Sequence, residues 1–389
     1  MTSPLRPFRW MLTAAVVGAA VELLFRLALF PGWRDLHHDM YVPHPVFEHY
    51  SRPNLDIRRL NPGNWDVRVH TNARGMRGRE ADREAELAGL WVVGDSNAFG
   101  GYLDDGEVFA ARLAGHGLRA ANLSSEGHDL LRQSRVLRSL AAEGRRPRAV
   151  VAAVTLYHGI KPYRTDMAEL DQPLPEVKAS APAGGAATAL GRGIGRLLDS
   201  WPRDLFAVRV FLGSNSAAYG WLKSGIMGIP ALREWTLARG LRADLDMIYP
   251  FGLDLLRPLT ADNPRLDDVR ATADLLARLS GLVRRDLGAP FAVVLLPAHH
   301  QIYPAAFARW RTANGFAGED LDPLRPLAAL QTELTARGVP TLATLDALRA
   351  SPWRVTFPDD GHLNAAGHRI VAEALAGWLP GALGIEARP

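Results

Sequence analysis

Short apolar runs alternate with amphipathic stretches over residues 89–380 of the chain. The runs at 89–96 (GLWVVGDS), 149–157 (AVVAAVTLY) and 290–297 (PFAVVLLP) are short, apolar and rich in valine. Runs of this kind are typical of strands that are buried on both faces of a parallel sheet. Residues 120–127 (AANLSSEG) and 339–345 (VPTLATL) predict two further strands.

Helical stretches lie between these strands, at 128–143, 266–287, 322–337 and 365–379. Alternating strands and helices predict an α/β fold, a three-layer sandwich in which helices cover both faces of a parallel sheet. Residues 162–265 interrupt the alternation as an insertion. Its Ala- and Gly-rich part (178–195) predicts a mobile loop, and its aromatic part (Trp201 to Trp235) favours the helices of a lid or a partner surface.

The longest apolar run, Trp10 to Phe30, predicts an N-terminal transmembrane helix. About 20 helical residues span the ~30 Å hydrocarbon core of a bilayer. Two charges interrupt the run, Glu22 and Arg26, whose spacing and order favour an ion pair along one helix. The later apolar run Ile226–Leu232 is too short to span, and Gly228 and Pro230 break it.

The charges that flank the run predict its orientation. Arg6 and Arg9 precede it, whereas Arg34 and Asp35 follow it and nearly cancel. The positive-inside rule therefore places the N-terminus in the cytoplasm and the rest of the chain outside. Two alternatives remain: a cleaved signal peptide, with Gly18 and Ala20 as its small residues, and a buried helix of a soluble domain.

Residues 36–88 form a lead-in segment rich in Pro, Asn and His, without helical periodicity. Within it, alternation at Trp65, Val67 and Val69 predicts a strand followed by a turn. The chain thus divides into a signal anchor (1–35), this lead-in (36–88) and a main domain (89–389) that contains the insertion 162–265.

The composition of the chain excludes several kinds of catalytic site and partner. The 389 residues are 48% hydrophobic and 22% charged, as in a globular protein, and none is cysteine. A chain without cysteine has no disulfide, thiolate metal site or cysteine nucleophile. The net charge is only +4, and the arginines are scattered among acids, so we expect no nucleic-acid partner. Adjacent His299 and His300 do not predict a metal site, because on an extended chain they point to opposite sides and no acid–His cluster accompanies them. The reactions considered below need no cofactor and no metal, and we expect neither.

Polar residues in two places form a candidate catalytic set of a serine, a histidine and one of two aspartates. Ser96 directly follows the first buried strand, where ligands bind in open α/β sheets. Near the C-terminus, PDDGHLNAAGH (358–368) brings Asp359 and Asp360 close to His362. A serine needs an adjacent base to become a nucleophile, and a carboxylate orients that base. The alternative for Ser96 is a helix N-cap.

In these motifs the chain resembles the SGNH (GDSL-type) hydrolase superfamily, over most of residues 89–380. VVGDSNAFG is similar to its first block, NLSSEG to its second and DGHLNAAGH to its last. The resemblance implies an SGNH or flavodoxin-like sandwich, with Ser96 as nucleophile and His362 as base. The backbone N–H groups of Ser96 and Gly127 would form the oxyanion hole. The lead-in VHTNARGMRG resembles the corresponding segment of membrane-anchored bacterial members.

Which carboxylate orients His362 stays open. Membrane-anchored relatives carry Asp-Gly-His, which favours Asp360, whereas Asp359 fits the Asp-x-x-His spacing of other members. The third block departs from the family pattern, because VTLYHGIKPY places His158 where an asparagine donor is expected. Either His158 donates from its ring to the oxyanion or the site is degraded. His300 and Tyr157 are candidate substrate-binding residues.

Three functions fit these observations. The first is a serine esterase that removes short acyl groups from cell-envelope glycans or lipids, anchored in the bacterial inner membrane with its main domain in the periplasm or outside. The second is an O-acyltransferase that uses the same Ser-His-Asp residues beside a membrane acyltransferase partner. The third is a catalytically silent subunit of a membrane complex, which the missing asparagine favours.

Overall fold

The computed structural model describes most of the chain, namely residues 5–29, 40–61, 64–79, 89–156, 159–163, 167–170, 172–174, 216–229, 231–232, 253–313, 315–358 and 360–386. The predicted loop 178–195 lies outside these residues. Contacts group the chain into two compact units. The smaller unit takes in the described residues of 1–39, 57–63 and 177–242, and the larger unit takes in those of 40–56, 64–176 and 243–389.

The strands are β1 (Tyr41–His44), β2 (Glu48–Ser51), β3 (Asp56–Asn61), β4 (Trp65–His70), β5 (Leu90–Gly94), β6 (Ala120–Asn122), β7 (Ala149–Thr155), β8 (Phe291–Leu296), β9 (Thr341–Ala343), β10 (Thr356–Phe357) and β11 (Asp360–Leu363). The α-helices are α1 (Leu5–Leu24), α2 (Ser96–Phe99), α3 (Phe109–Arg112), α4 (Leu130–Ala142), α5 (Ala217–Gly228), α6 (Leu253–Leu256), α7 (Pro264–Leu282), α8 (His299–Ile302), α9 (Pro304–Ala313), α10 (Arg325–Ala336), α11 (Leu345–Arg349) and α12 (Ala365–Leu383). A π-helical turn, Phe25–Leu29, continues α1.

A five-stranded parallel sheet in the order β6-β5-β7-β8-β9 forms the centre of the larger unit. Every residue of β5, β7 and β8 is buried, which explains their uniformly apolar sequences. The chain leaves β5 for β6 on one side and returns to β7 on the other, the flavodoxin-like strand order. In this order the crevice for a ligand opens beyond the carboxyl end of β5.

Helices cover both faces of this sheet, as the alternating pattern predicted. The helix α7 contacts both α4 and α10, with α4 against β5 and α7 against β8. A second group, α3, α11 and α12, contacts the sheet through α12 and β8. The α/β sandwich architecture is therefore confirmed, and the five predicted strands and four predicted helices all form.

Several short elements were not predicted. The hairpin of β1 and β2 lies in the lead-in, and β10 pairs antiparallel with β11, so that Asp360 and His362 lie on a short strand. The extended conformation expected for His299 and His300 is wrong, because these residues form the helical turn α8. The Gln301 side chain closes this turn by accepting a hydrogen bond from the Ala298 N–H at 2.7 Å.

The hairpin of the lead-in packs on the loop that follows β6. The Tyr50 hydroxyl donates to the Leu123 carbonyl at 3.2 Å, and the His49 ring donates to the Glu126 carbonyl at 3.0 Å. In return, the His128 ring donates to the His49 carbonyl at 2.8 Å. These bonds hold in place the loop that carries Gly127.

A buried arginine of the lead-in supports the loop after α2. Arg77 is 3% exposed and donates to the Leu103 carbonyl at 2.6 Å. Its guanidinium also pairs with Asp105, whose second oxygen accepts from the His70 ring at 2.8 Å. These two residues of the lead-in, His70 and Arg77, therefore belong to the packed structure of the larger unit.

The predicted N-terminal helix is present in the smaller unit. Its residues Leu12–Leu29 have a mean hydropathy of 1.9, and none of that window is buried. By length and composition, this helix is able to cross a membrane. The predicted ion pair also forms, with Arg26 Nε 2.7 Å from Glu22 Oε1.

A histidine is buried where α12 packs on α3. His368 is 1% exposed, and its Nδ1 accepts a hydrogen bond from the Phe109 N–H at 3.0 Å. Burial, with a smaller contribution from the nearby Arg112 charge, lowers the pKa of His368 to about 3. The side chain is therefore neutral in the folded protein at all but strongly acidic pH.

We expect His368 to make the fold sensitive to acid. Below pH 6.5 the unfolded chain binds a proton at this residue, whereas the folded chain does so only near pH 3. The free energy of unfolding therefore falls as pH drops from about 6.5 to about 3, by roughly 1.4 kcal/mol per pH unit from this group. His368→Asn keeps an acceptor without titrating. Its urea-unfolding free energy should depend on pH less steeply, by about one proton, and equal slopes would contradict this prediction.

Candidate active site

The nucleophile candidate lies at the tight turn between β5 and α2. Ser96 is the first residue of α2 and is 8% exposed. The N-cap of α2 is Asp95, whose side chain accepts from the Asn97 N–H at 2.9 Å. Ser96 is therefore not the N-cap, the alternative that its position allowed. Gly94 permits the turn, because a Cβ there would lie 2.4 Å from the Ala98 Cβ.

A hydrogen-bonded chain joins Ser96 to His362 and Asp360. His362 Nε2 lies 2.8 Å from Ser96 Oγ, and His362 Nδ1 bonds to Asp360 Oδ1. The same carboxylate accepts from the His362 backbone N–H at 2.9 Å. Because an ionised carboxylate only accepts, Nδ1 carries the proton and Nε2 is free to accept from the serine hydroxyl. The alternative acid, Asp359, lies outside the described residues.

Asn97 connects the serine turn to the strand of the histidine. Its Oδ1 accepts from the Leu363 N–H at 3.0 Å, and its Nδ2 donates to Thr155 Oγ1 at 3.3 Å. Thr155 in turn donates to Asp95 Oδ1 at 3.0 Å. These buried bonds tie α2, β7 and β11 together and so set the distance between Ser96 and His362. The sequence analysis missed Asn97, which directly follows the candidate nucleophile, and Thr155, which is the last residue of β7.

Aromatic rings cover the imidazole of His362. The Tyr102 ring lies 4.2 Å from that of His362, and the Trp65 ring lies 4.6 Å from that of Tyr102. Trp65 also contacts Phe357 at 5.1 Å. Trp65 belongs to β4, so the lead-in contributes directly to the surroundings of the base. This apolar wall limits the access of water to one side of His362.

Two backbone donors for an oxyanion are available. Gly127 lies beyond β6 with φ +76°, a left-handed conformation that glycine adopts without strain. Within the described part of the chain, neither the Ser96 N–H nor the Gly127 N–H donates a hydrogen bond. Both are therefore free to bind developing negative charge. His158 and Tyr157 lie outside the described residues, so their predicted roles stay predictions.

A cavity of about 120 Å³ lies next to this turn. Asp95 and Gly127 line it, together with Lys161 and the buried side chains of His128 and Gln133. Burial lowers the pKa of His128 to about 4, so this ring is neutral. His128 Nδ1 and Gln133 Oε1 have no hydrogen-bond partner among the described residues. The cavity is thus a small space next to the serine turn, lined in part by buried polar residues.

The remaining predicted site residue is His300. Its ring lies 6.2 Å from the ring of Phe307, whereas the neighbouring His299 bonds through Nδ1 to Thr356 Oγ1 at 3.0 Å. A substrate-binding role for His300 stays a prediction. Among the residues that the structure describes, no group of three or more His, Asp or Glu side chains is placed to hold a metal ion.

Comparison with known proteins adds two structural neighbours. No protein-family model matches the chain, and no curated protein does. Two structures of the acetylxylan esterase Axe2 from Geobacillus stearothermophilus are similar to it, one of them a point mutant described as an acetyl-xylooligosaccharide esterase. The mutant is 14% identical to this chain with a TM-score of 0.31, and the match covers 77% of this chain and 95% of the mutant. The other is 13% identical with a TM-score of 0.29, covering 78% and 99%. Likeness at this level carries no argument about function, which rests on the geometry described above.

Proposed function

We propose that this chain is a membrane-anchored serine esterase that removes short acyl groups from glycans or lipids of the cell envelope. The observation that carries this proposal is the hydrogen-bonded chain from Ser96 through His362 to Asp360, at the carboxyl end of β5. These hydrogen bonds support Ser96 as nucleophile, His362 as base and Asp360 as orienting acid of an acyl transfer. The backbone N–H groups of Ser96 and Gly127 support the binding of the oxyanion.

The mechanism follows from the position of each proton. Ser96 Oγ attacks the ester carbonyl carbon while His362 Nε2 takes the hydroxyl proton, and Asp360 stabilises the imidazolium that forms. The Ser96 and Gly127 N–H groups bind the oxyanion of the tetrahedral intermediate. Collapse of the intermediate breaks the ester C–O bond, and His362 returns its proton to the departing alcohol. Water then attacks the acyl-serine by the same steps and releases the carboxylic acid.

The cavity of about 120 Å³ that Asp95 and Gly127 line, next to the serine turn, supports a small acyl group as the part of the substrate that is recognised. The apolar helix α1 supports anchoring in a bacterial inner membrane. With Arg6 and Arg9 before the span, the positive-inside rule places the esterase unit in the periplasm or outside.

Acyl transfer to a sugar hydroxyl is the second candidate function, and the aromatic wall favours it. Trp65 and Tyr102 cover His362 and limit the approach of water from that side. A sugar ring stacks well on such side chains, so that its hydroxyl would replace water in the second step. The acyl donor would then come from a membrane acyltransferase partner.

One experiment tests the esterase and separates it from the transferase. Purified full-length protein in detergent is incubated with an acetylated glycan oligomer and a second, labelled, unacetylated oligomer. Free acetate as the main product supports the esterase, and acetyl groups on the labelled oligomer support the transferase. If neither product forms and no acyl group is found on the Ser96 peptide by mass spectrometry, the esterase proposal fails.

We expect Asn97→Ala to slow the reaction without unfolding the protein. The substitution removes the acceptor of the Leu363 N–H, so β11 and the His362 ring are no longer tied to the serine turn. A displacement of about 1 Å costs on the order of 100-fold in rate. We expect kcat to fall by about 10- to 100-fold, with a smaller change in KM and a loss of about 1–3 kcal/mol in stability. An unchanged kcat would show that Asn97 does not position His362.

A further inference from the structure

Four hydrogen-bond donors surround the carboxylate of Glu22 within the apolar helix α1. One is Arg26, and the other three belong to the start of α5. The Ser216 hydroxyl donates at 2.8 Å, the Ala217 N–H at 2.7 Å and the Ala218 N–H at 3.3 Å. Glu22 therefore caps the N-terminus of a helix that follows it by almost two hundred residues in the chain.

The two helices continue in contact beyond this cap. The ring of Trp221, one turn into α5, lies 5.4 Å from the ring of Phe25, about one turn beyond Glu22. The contacts of α5 are with the end of α1 and with the π-helical turn Phe25–Leu29. Hence α5 advances beside the C-terminal end of α1, from Glu22 towards Leu29.

This arrangement fixes the depth at which α5 begins, given the proposed membrane anchoring. The apolar window Leu12–Leu29 of α1 has 18 residues, about 27 Å of helix. Glu22 lies seven residues before its end, about 10 Å inside. The first turn of α5 lies at the same depth. With 12 residues α5 is about 18 Å long, which is long enough to reach the nearer membrane surface and too short to cross.

The bonding around Glu22 is what such a position requires. In hydrocarbon, a carboxylate is expensive unless donors surround it, and the first N–H groups of a helix need acceptors because no water supplies them. Glu22 and the Ala217 and Ala218 N–H groups satisfy each other. At a water-exposed helix end, solvent would serve both.

The side chains around this cap also suit lipid. Large apolar side chains from Trp221 to Leu232 are 42–55% exposed: Trp221, Leu222, Ile229 and Leu232. Lys223 is the single charged residue between positions 210 and 232 of the sequence. This apolar surface continues that of α1, whose window is wholly unburied.

We propose that α5, with Ser216 before it, forms a second membrane-embedded segment, a re-entrant helix that lies in one leaflet beside α1 and contacts phospholipid acyl chains. Glu22 fixes it there as its cap. The inference rests on the membrane anchoring proposed for α1 and is independent of esterase activity. It assigns part of the insertion 162–265 to the bilayer rather than to a lid.

The absence of native cysteine allows a direct test. Single-cysteine variants of the full chain are labelled with a nitroxide and placed in phosphatidylethanolamine–phosphatidylglycerol vesicles. The collision rates of the nitroxide with oxygen and with a water-soluble nickel chelate are then measured. Val16→Cys on α1 is the lipid reference and Thr335→Cys on α10 is the water reference. We expect Leu222→Cys to resemble Val16→Cys, with high oxygen and low nickel accessibility.

Each other outcome overturns the inference. Nickel accessibility at Leu222→Cys equal to that of Thr335→Cys would place the segment in water, and protection from both reagents would place it against protein. If Val16→Cys itself were in water, the membrane anchor would fail and the inference with it. Esterase assays of the same samples report the proposed activity separately.

A second variant tests the role of Glu22. Glu22→Leu makes α1 more apolar, so the anchor still inserts, yet the Ala217 and Ala218 N–H groups lose their acceptor. In Glu22→Leu we expect the nickel accessibility of the nitroxide at position 222 to rise at least severalfold. Glu22→Gln keeps an acceptor, so in this variant we expect the nickel accessibility to change little. An unchanged signal in Glu22→Leu would show that Glu22 does not hold the segment in the membrane.

Discussion

Ser96→Ala should abolish acyl transfer while leaving the fold intact. The hydroxyl of Ser96 is the atom that His362 Nε2 contacts at 2.8 Å, and no other hydroxyl takes its place in the proposed reaction. Loss of the nucleophile or of its base lowers kcat by about 10⁶-fold in a well-studied serine protease. We expect a loss of on the order of 10⁴- to 10⁶-fold in hydrolysis of an acetyl ester, with activity near the level of the oxyanion donors alone.

A fluorophosphonate probe, which reacts covalently with an activated serine, tests the nucleophile directly. Wild-type protein should be labelled rapidly, and both Ser96→Ala and His362→Ala should remain unlabelled. Ser124→Ala is the matched control, because Ser124 is a fully buried serine of the same unit, bonded to the Val92 carbonyl. Labelling that persists in Ser96→Ala, or ester hydrolysis at the wild-type rate, would refute the proposed nucleophile. A folded wild type without labelling would favour a catalytically silent protein.

The sheet and the approximate position of the site were predictable because local composition determines them. Strands β5, β7 and β8 are buried on both faces, so their apolar runs are visible without any tertiary information. Ser96 follows one of these strands, and in a parallel sheet residues after such strands meet at one edge. The motif around His362 then restricted the partner of the serine to a few residues.

The contacts that position and cover His362 were not predictable, because they join residues that are distant in the chain. Asn97 bonds to Leu363 and Thr155, and nothing in a single sequence connects these positions. The same holds for Trp65, which reaches the site from a strand of the lead-in. His299 and His300 were expected to be extended, whereas a local hydrogen bond of Gln301 turns them into a helix.

The cap at Glu22 shows a further limit of local patterns. A charge within an apolar run predicts only that it needs a partner, and Arg26 at the favourable spacing supplied one. The three additional donors come from residues 216–218, inside an insertion whose sequence favoured a lid or a partner surface. By hydropathy, the apolar stretch after Gly225 is too short to cross a membrane. A re-entrant helix does not cross the membrane, so a short stretch is sufficient for it.

The two adjacent aspartates allow the orienting acid to be identified by a matched pair of variants. Asp360 bonds to His362 Nδ1 and holds its proton there, which leaves Nε2 as an acceptor for the serine. Asp360→Asn presents an amide that favours the wrong tautomer, and the equivalent change lowers kcat by about 10⁴-fold in a serine protease. We therefore expect Asp360→Asn to lose on the order of 10⁴-fold in kcat, and Asp359→Asn to stay within a few-fold of wild type.

Both substitutions remove one negative charge at adjacent positions of the sequence, so a general electrostatic effect on His362 would lower both rates alike. A specific role in orientation lowers only one. Rates measured between pH 5 and 10 add a second readout, because a histidine in the wrong tautomer is inefficient at every pH, whereas a simple shift in pKa is overcome as pH rises. A large loss in Asp359→Asn with an active Asp360→Asn would reverse the assignment and give Asp359 the role proposed here for Asp360.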